Sequence, residues 1–208
     1  MRDTRGLVLT ADGEVCDARF SKCCGGQTNE FRYCWQNLRP AYLASVADPY
    51  CSQADAAILS RVLNGYDRET PQFLNWQVEF TQQELHDLLQ ERLGIDFGSI
   101  LRLETLEQGP GGHISQLRIV GTQRQLVLGK ELEIRRALSH SHLLSSAFTV
   151  ETQGSGDVPE KFVLHGRGWG HGVGMCQIGA AVMGEQGFAY TDILSHYFAA
   201  ATLQRLYD

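Results

Sequence analysis

The sequence predicts an α+β fold, mostly antiparallel sheet with peripheral helices. Short segments of alternating apolar and polar residues, separated by glycine turns, fill the middle of the chain, and segments with helical spacing flank them. With 208 residues, 43% of them hydrophobic, the chain can bury the core of one large domain or two small ones. No internal repeat divides it, and we expect residues 1–208 to form one domain.

The strand predictions depend on alternation and on the turns between segments. Strands are predicted at residues 7–9, 15–20, 76–80, 100–106, 114–120, 125–128, 148–152 and 161–164. Asp12-Gly13 is a hairpin signal between the first two of these strands. Pro110-Gly111-Gly112 is a turn between the strands at 100–106 and 114–120.

Helices are predicted from apolar spacing and from end signals. Residues 54–63 have helical spacing, and Gly65 ends the pattern. Thr81 and Glu84 form a capping box that begins a helix ending at Gly94. Two further helices, at 177–184 and 192–201, close the chain.

Residues 165–175 form the most unusual stretch, because every second residue is a glycine. This alternation has the period of an extended strand, so we expect one face of bare backbone and one face of side chains. The glycines are Gly166, Gly168, Gly170, Gly172 and Gly174, and the side chains are Arg167, Trp169, His171 and Val173. Each glycine costs roughly 0.5–1 kcal/mol relative to alanine, which indicates a function beyond stability. A bare face admits a ligand or another segment.

The chemistry of this stretch favours a sugar over a nucleotide. Its glycine spacing does not fit a dinucleotide fingerprint, and Gly174-Met175-Cys176-Gln177 lacks the lysine of a phosphate-binding loop. An indole beside a guanidinium and an imidazole can stack on a pyranose ring and bond its hydroxyls. The alternative is a tight turn with Trp169 in the core and His171 as a structural histidine.

Charge and hydropathy exclude other function classes. The net charge is −6 and no Lys/Arg-rich run occurs, so nucleic acid is not an expected partner. No apolar run reaches the ~18 residues of a membrane span, and no signal peptide opens the chain.

Six cysteines suggest an oxidising compartment. They are Cys16, Cys23, Cys24, Cys34, Cys51 and Cys176. Cys34 and Cys51 are a reasonable local disulfide. Cys16, Cys23, Cys24 and Cys34 could supply four thiolates to zinc, but no Cys-x2-Cys pair occurs, so no metal is predicted within the chain. Buried free thiols are the third interpretation.

Two separated motifs resemble one family. Residues 168–180, which read GWGHGVGMCQIGA, and residues 193–198, which read ILSHYF, resemble the C-terminal signature of the stage II sporulation protein D and amidase-enhancer (LytB) family. Residues 19–28 are similar to that family's strand ending in two glycines and a threonine. Ser21, Gly25, Gly26 and Thr28 match it. With residues 101–120 and 131–148 also similar, the resemblance spans nearly the whole chain.

The resemblance implies a peptidoglycan lytic transglycosylase. In the family, the acid/base glutamate lies in a helical segment before the strand that corresponds to residues 6–9, and some members hold zinc with His and Cys from a loop just upstream of that strand. Both features precede this sequence. The resemblance therefore implies the larger C-terminal part of a family domain without its catalytic segment, with no cofactor bound by the chain itself.

The same resemblance suggests two lines of site residues that form opposite walls of one cleft. One wall is expected to contain Arg167, Trp169, His171 and Gln177. The other is expected to contain Ser21, Gly25, Gly26, Thr28 and Glu30. Glu30 is the nearby carboxylate that could act in catalysis, and its alternative role is a solvated or salt-bridged glutamate.

Two functions remain open at this stage. The first is cleavage of peptidoglycan glycan strands by the complete protein, with this chain supplying the glycan-binding cleft. The second is a non-catalytic peptidoglycan-binding module that enhances a cell-wall amidase. Both imply an extracytoplasmic location and glycan strands as a partner, and the second adds another cell-wall hydrolase.

Overall fold

The computed structural model describes residues 4–65, 72–141 and 143–207, and it confirms the α+β fold. Its strands are β1 (Leu7–Ala11), β2 (Glu14–Val15), β3 (Phe20–Ser21), β4 (Asn75–Thr81), β5 (Ile100–Gln108), β6 (Ile114–Gly121), β7 (Gln125–Leu128), β8 (Phe148–Gln153), β9 (Lys161–Arg167), β10 (Met175–Cys176) and β11 (Thr202–Arg205). Its helices are α1 (Ala56–Val62), α2 (Gln82–Leu93), α3 (Glu131–Ala137), α4 (Gln177–Glu185) and α5 (Tyr190–Tyr197).

The strands form three antiparallel sheets and one short parallel pair within the described ranges. The sheet orders are β11-β1-β2, β4-β9-β8 and β5-β6-β7, and β3 pairs with β10 in parallel. In the same part of the chain, no helix has both the length and the apolar character needed to cross a membrane.

Local signals explain the elements that the sequence predicts well. Thr81 and Glu84 form the capping box of α2, and Gly94 ends that helix with a left-handed φ of +68°. Asp12 and Gly13, with φ of +51° and +83°, make the tight turn between β1 and β2.

Tertiary pairing changes two predictions, and one helix was not predicted. The strand predicted at 15–20 is divided into β2 and β3, because β3 pairs with β10 rather than with β1. The helix predicted at 192–201 ends at Tyr197, and residues 202–205 pair with β1 as strand β11. Helix α3 is not among the predicted helices.

The first of two cores, which we call the aliphatic core, lies between the sheets β4-β9-β8 and β5-β6-β7 and the helices α2 and α3. Its fully buried members include Leu85, Leu89, Leu117, Ile119 and Phe162. They come from alternating strand positions and from one helix face, so regular secondary structure alone brings them together.

The second core, which we call the sulfur-rich core, contains Cys23, Cys24, Cys34, Cys51 and Cys176. Its large side chains are Phe73, Tyr197 and Phe198. Tyr197 and Phe198 are 1% and 2% exposed, so they pack the end of the last helix into this core. Turns and chain ends, rather than sheets, supply most of this core.

Candidate functional site

The glycine-rich stretch is a strand only as far as Arg167, where β9 ends. Gly168, Gly170, Gly172 and Gly174 all have positive φ, between +72° and +104°. The extended strand that the alternation predicts is therefore wrong beyond Arg167. Glycine occupies these positions because L-residues with a Cβ rarely adopt left-handed backbone.

Other protein segments fill the space beside these glycines. A Cβ on Gly166 would overlap the Trp76 ring, and a Cβ on Gly168 would lie 2.8 Å from the Cys23 carbonyl oxygen. A Cβ on Gly174 would overlap the Arg19 carbonyl. A bare face of backbone could adjoin a ligand or another protein segment. The structure shows another protein segment at each of these three glycines.

One of these neighbouring segments, residues 20–29, pairs with residues 168–176. Ser21 lies opposite Cys176 in a parallel pair, Cys23 opposite Trp169, and Asn29 opposite Val173. Cys23 and Trp169 exchange backbone hydrogen bonds of 3.0 and 2.8 Å. We call residues 20–29 and 168–176 the paired segments.

The Gly25-Gly26 turn lies against this stretch, as the sequence predicts. Its φ angles are +74° and +105°, and a Cβ on Gly25 would lie 3.1 Å from Arg167 Cγ. This contact leaves no gap between Gly25 and Arg167, so the two segments touch at this point, and the shared cleft stays a prediction. Gly26 faces open space.

Arg167 is exposed and borders a pocket with polar side chains in its lining. Its Nη2 donates a hydrogen bond to the Gly111 carbonyl at 3.2 Å, which positions the guanidinium. The pocket measures about 320 Å³, and Asn75, Gln108, Thr149 and His165 contribute polar side chains. Arg167 and His165 share one face of β9, so alternation along the strand places both at this pocket.

Trp169 and His171 are both half-buried, and each packs against other side chains. The Trp169 ring packs 6.2 Å from Phe73 against the sulfur-rich core. His171 Nδ1 accepts the Val173 N–H at 3.0 Å, and the ring contacts the edge of Trp35 at 4.8 Å. These contacts match the alternative interpretation, a packed tryptophan and a satisfied histidine.

Burial also sets the charge of two histidines. Desolvation, with the nearby positive charges of Arg135 and Arg19, lowers the pKa of His171 to about 4. Desolvation lowers the pKa of His113, a fully buried residue behind Gly172, to about 3. Both rings are neutral near pH 7. His113 is absent from the predicted site because a single histidine after a turn carries no periodic signal.

The remaining predicted residues have different environments. Ser21 is 5% exposed, and its hydroxyl has no hydrogen-bond partner among the described residues. Thr28 is 1% exposed, and its hydroxyl accepts the Val46 N–H at 2.8 Å. Gln177 is half-buried as the first residue of α4. Of these, Gln177 has the most accessible side chain.

Glu30 is half-buried and paired with Arg32. The Arg32 Nε and the Glu30 Oε2 are 2.9 Å apart, and this hydrogen bond raises the pKa of Arg32. Glu30 also lines a pocket of about 200 Å³ with Phe31 and Arg39. One carboxyl oxygen of Glu30 is therefore engaged by Arg32, which matches the salt-bridged alternative for this residue.

A buried ion pair, Arg135 with Glu131, lies behind the paired segments. Neither residue belongs to the predicted site. Arg135 Nη1 lies 2.8 Å from Glu131 Oε1, and both side chains are less than a tenth exposed. Burial raises the pKa of Glu131, and the charge of Arg135 opposes that shift. Arg135 Nε also bonds the Leu143 carbonyl at 2.7 Å, and the adjacent Leu144 carbonyl accepts the Gly170 N–H.

All six cysteines are free, so the predicted Cys34–Cys51 disulfide is not formed. Cys34 instead donates to the His171 carbonyl at 3.4 Å. Cys24, Cys51 and Cys176 lie together with Asp48. Hydrogen bonds with Cys176 and Cys51, together with burial, raise the pKa of Cys24. Hydrogen bonds with Cys176, Cys23 and Cys24 lower that of Cys51.

Residues 29–174 match the protein family described as Domain of unknown function (DUF8618). The chain belongs to this family. The matched range includes Glu30, Arg167, Trp169 and His171 from the predicted site. It excludes the Gly25-Gly26 turn and Cys176.

Curated relatives are similar over most of the chain. Stage II sporulation protein D from Bacillus amyloliquefaciens is 27% identical over 195 residues, and its counterpart from Bacillus subtilis (strain 168) is 26% identical over the same length. Each match covers 94% of this chain and 47% of the relative, so the chain spans about half the length of these proteins. The amidase enhancer of Bacillus subtilis (strain 168) is 35% identical over 71 residues, which are 34% of this chain and 9% of that protein.

Proposed function

We propose that this chain belongs to a bacterial cell-wall protein and binds peptidoglycan glycan strands. The observation that carries the proposal is the polar pocket at Arg167, which opens where β9 meets the paired segments. The names of the relatives, a sporulation protein and an amidase enhancer, support a role at the cell wall. Peptidoglycan lies outside the cytoplasmic membrane, so the proposed location is extracytoplasmic.

The chemistry of the Arg167 pocket suits a sugar chain. Its volume of about 320 Å³ is at the lower end of small-molecule sites, which typically measure roughly 300–1,000 Å³. The amides of Asn75 and Gln108, the hydroxyl of Thr149 and the imidazole of His165 can bond sugar hydroxyls as donors and acceptors. Arg167 adds guanidinium N–H groups that suit the free lactyl carboxylates of peptide-free glycan strands.

We further propose that the complete protein cleaves glycan strands as a lytic transglycosylase. In that reaction one carboxyl group protonates the leaving oxygen as the glycosidic bond breaks. The resulting carboxylate then accepts the proton of the muramoyl 6-hydroxyl as that oxygen bonds to its own anomeric carbon. The proposal assigns the proton to a glutamate in a segment that these 208 residues do not include. The Glu30–Arg32 contact supports this assignment, because one carboxyl oxygen of Glu30 is already engaged by Arg32 at 2.9 Å.

A second candidate is a non-catalytic module that enhances a cell-wall amidase. The 35% identity to part of the amidase enhancer favours it. In this case the same pocket would hold glycan strands while a separate hydrolase acts on the stem peptides.

Binding is tested by co-sedimentation of the 208-residue protein with purified, peptide-free glycan strands. Arg167→Ala is expected to weaken binding about tenfold or more, because a hydrogen bond to a charged group contributes roughly 1.5–3 kcal/mol. Arg124→Ala, at an exposed arginine in the β6–β7 turn, is the charge-matched control and should bind like the wild type. Equal weakening by both variants would indicate charge attraction without a site.

Cleavage is tested by mass spectrometry of glycan digests made with the complete protein. Anhydromuramoyl products are expected from the complete protein and from its Glu30→Gln variant, and their loss is expected when the upstream glutamate is replaced. Products that disappear in Glu30→Gln would assign the proton to Glu30. Binding without any product would favour the amidase-enhancing module.

A further inference from the structure

We propose that Cys24, Asp48, Cys51 and Cys176 form a structural zinc site. One ligand atom from each of the four residues lies within 4.8 Å of all the others. The Cys24 and Cys51 Sγ atoms are 4.0 Å apart, and Cys24 Sγ lies 3.1 Å from Asp48 Oδ2. Tetrahedral zinc with Zn–S bonds of about 2.3 Å separates its ligand atoms by about 3.8 Å, so sub-ångström shifts would complete the site.

The ligand chemistry favours zinc over harder cations. Three sulfur ligands and one carboxylate are a donor set that zinc accepts, whereas calcium and magnesium select oxygen ligands alone. All four residues are buried, so no coordination position faces substrate. A closed four-ligand site is typical of structural rather than catalytic zinc.

Asp48 provides an independent reason for a cation. Its side chain is completely buried, and in the described part of the chain no lysine, arginine or histidine pairs with it. Its partners are backbone N–H groups, a thiol and the Tyr197 hydroxyl. A buried carboxylate without a counter-charge is costly, and a divalent cation between Asp48 and three thiolates would supply that charge.

Hydrogen bonds around the four residues orient them as ligands. Asp48 Oδ1 accepts the N–H groups of Tyr50 and Cys51 at 3.0 and 3.1 Å, and Tyr197 donates to Oδ2 at 3.0 Å. Cys176 Sγ accepts the N–H groups of Cys24 and Gly179 at 3.3 and 3.4 Å. Partners of this kind hold ligand side chains in place in known metal sites.

A glycine in helix α4 leaves room for the side chains of the four-residue cluster. A Cβ on Gly179 would overlap the Asp48 carboxylate and the Tyr197 hydroxyl, so glycine is required in this turn of α4. The ligands come from the Gly25-Gly26 turn, the loop at 48–51 and the N-terminus of α4. Zinc would therefore link the paired segments to the loop at 48–51. These residues differ from the upstream His and Cys that the family resemblance implies.

Neutral buried thiols are the competing explanation, because Cys24 donates its S–H to Asp48. The two explanations differ in metal content. Tag-free protein is produced with zinc in the medium, and zinc per chain is measured by plasma mass spectrometry. One zinc per chain is expected, and replacement by cobalt should give the charge-transfer and visible bands of tetrahedral thiolate coordination.

Variants assign the ligands. Cys51→Ser and Cys176→Ser should lose zinc, and Asp48→Asn should weaken its binding. Cys34→Ser is the matched control, since Cys34 is equally buried but contacts Asn29 and His171 instead, and it should retain one zinc. If a ligand variant does not fold, cobalt titration of chelator-treated wild type gives the decisive spectrum.

Three results would overturn the proposal. They are wild-type protein without zinc or a cobalt–thiolate spectrum, a disulfide among Cys24, Cys51 and Cys176, and zinc loss from Cys34→Ser equal to that from Cys51→Ser. None of these measurements depends on glycan binding, so the zinc site and the proposed function can fail separately.

Discussion

The aliphatic core and the sulfur-rich core are stabilised by different interactions. In the first, side chains such as Leu117 and Phe162 contribute by removal of apolar surface from water, about 1.5–3 kcal/mol each, and direction matters little. In the second, Cys24, Asp48 and Cys176 meet through hydrogen bonds and close backbone contacts, which depend on both distance and angle. The sulfur-rich core should therefore tolerate fewer substitutions.

The candidate site lies where these two regions meet. Strand β9 begins in the aliphatic core, and the chain enters the sulfur-rich core directly after Arg167. A regular strand thus holds the exposed guanidinium, while the paired segments close the adjacent surface. Four predictions test how far the two regions differ, in order of expected effect.

The largest effect is expected from Gly174→Ala in the paired segments. The left-handed backbone costs about 1–2 kcal/mol for alanine, and overlap with the Arg19 carbonyl adds about 1–3 kcal/mol, so we expect a loss of about 4 kcal/mol. Gly187→Ala is the control, with φ of +89° and open space around it, and should cost about 1–2 kcal/mol. Urea unfolding measures both, and equal losses would contradict close approach as the cause.

Acid should weaken the region around His171. An unfolded histidine has a pKa of about 6.5 and folded His171 about 4, so the unfolded chain binds more protons between these values. The free energy of unfolding therefore falls as the pH is lowered from about 6.5 to about 4, by about 3 kcal/mol from His171, and His113 adds to the loss. His171→Gln should flatten this dependence.

The control for acid is His165→Gln, at an exposed histidine on β9. Urea unfolding at several pH values should give the same slope as the wild type for this variant. A His171→Gln slope equal to that of the wild type would show that His171 does not carry the acid sensitivity.

A smaller loss is expected from Tyr197→Phe. It removes the hydroxyl that donates to Asp48 at 3.0 Å inside the sulfur-rich core, and a hydrogen bond to a charged group contributes roughly 2 kcal/mol. Tyr190→Phe, at a tyrosine that is 45% exposed, should change stability by less than about 0.5 kcal/mol. Thermal unfolding of both variants makes the comparison. If Tyr197→Phe leaves the stability unchanged, the hydrogen bond to Asp48 does not stabilise this core.

The smallest effect is expected in the aliphatic core, from Ile119→Val. Removing one buried methylene from this fully buried side chain should cost about 1 kcal/mol with no change in pH dependence. Val127→Ala, at a residue 47% exposed on the neighbouring strand, should cost less. A loss from Ile119→Val larger than that from Tyr197→Phe would reverse the proposed ranking of the two regions.

Local sequence signals determined much of the regular structure. The Thr81–Glu84 capping box, the Asp12-Gly13 hairpin and the turn at Pro110 predict their elements because each acts within a few residues. The alternation at 165–175 correctly marks the segment as one of close approach. It does not reveal left-handed φ, because glycine adopts both hands and the choice depends on what packs beside it.

The sequence by itself determined the α+β fold, the resemblance to a known family and the close approach at the glycine-rich segment. Only the tertiary structure decided that Arg167 faces a pocket while the His171 ring packs against Trp35, and that Cys24 meets Cys176 across 152 positions of the chain. The physical reason is range: propensity and periodicity act over one turn or one strand, whereas the cysteine cluster requires three distant segments to pack together. The spacing of cysteines along the sequence does not indicate that packing. Asp48 and Cys51 therefore become neighbours of Cys24 only in the folded protein.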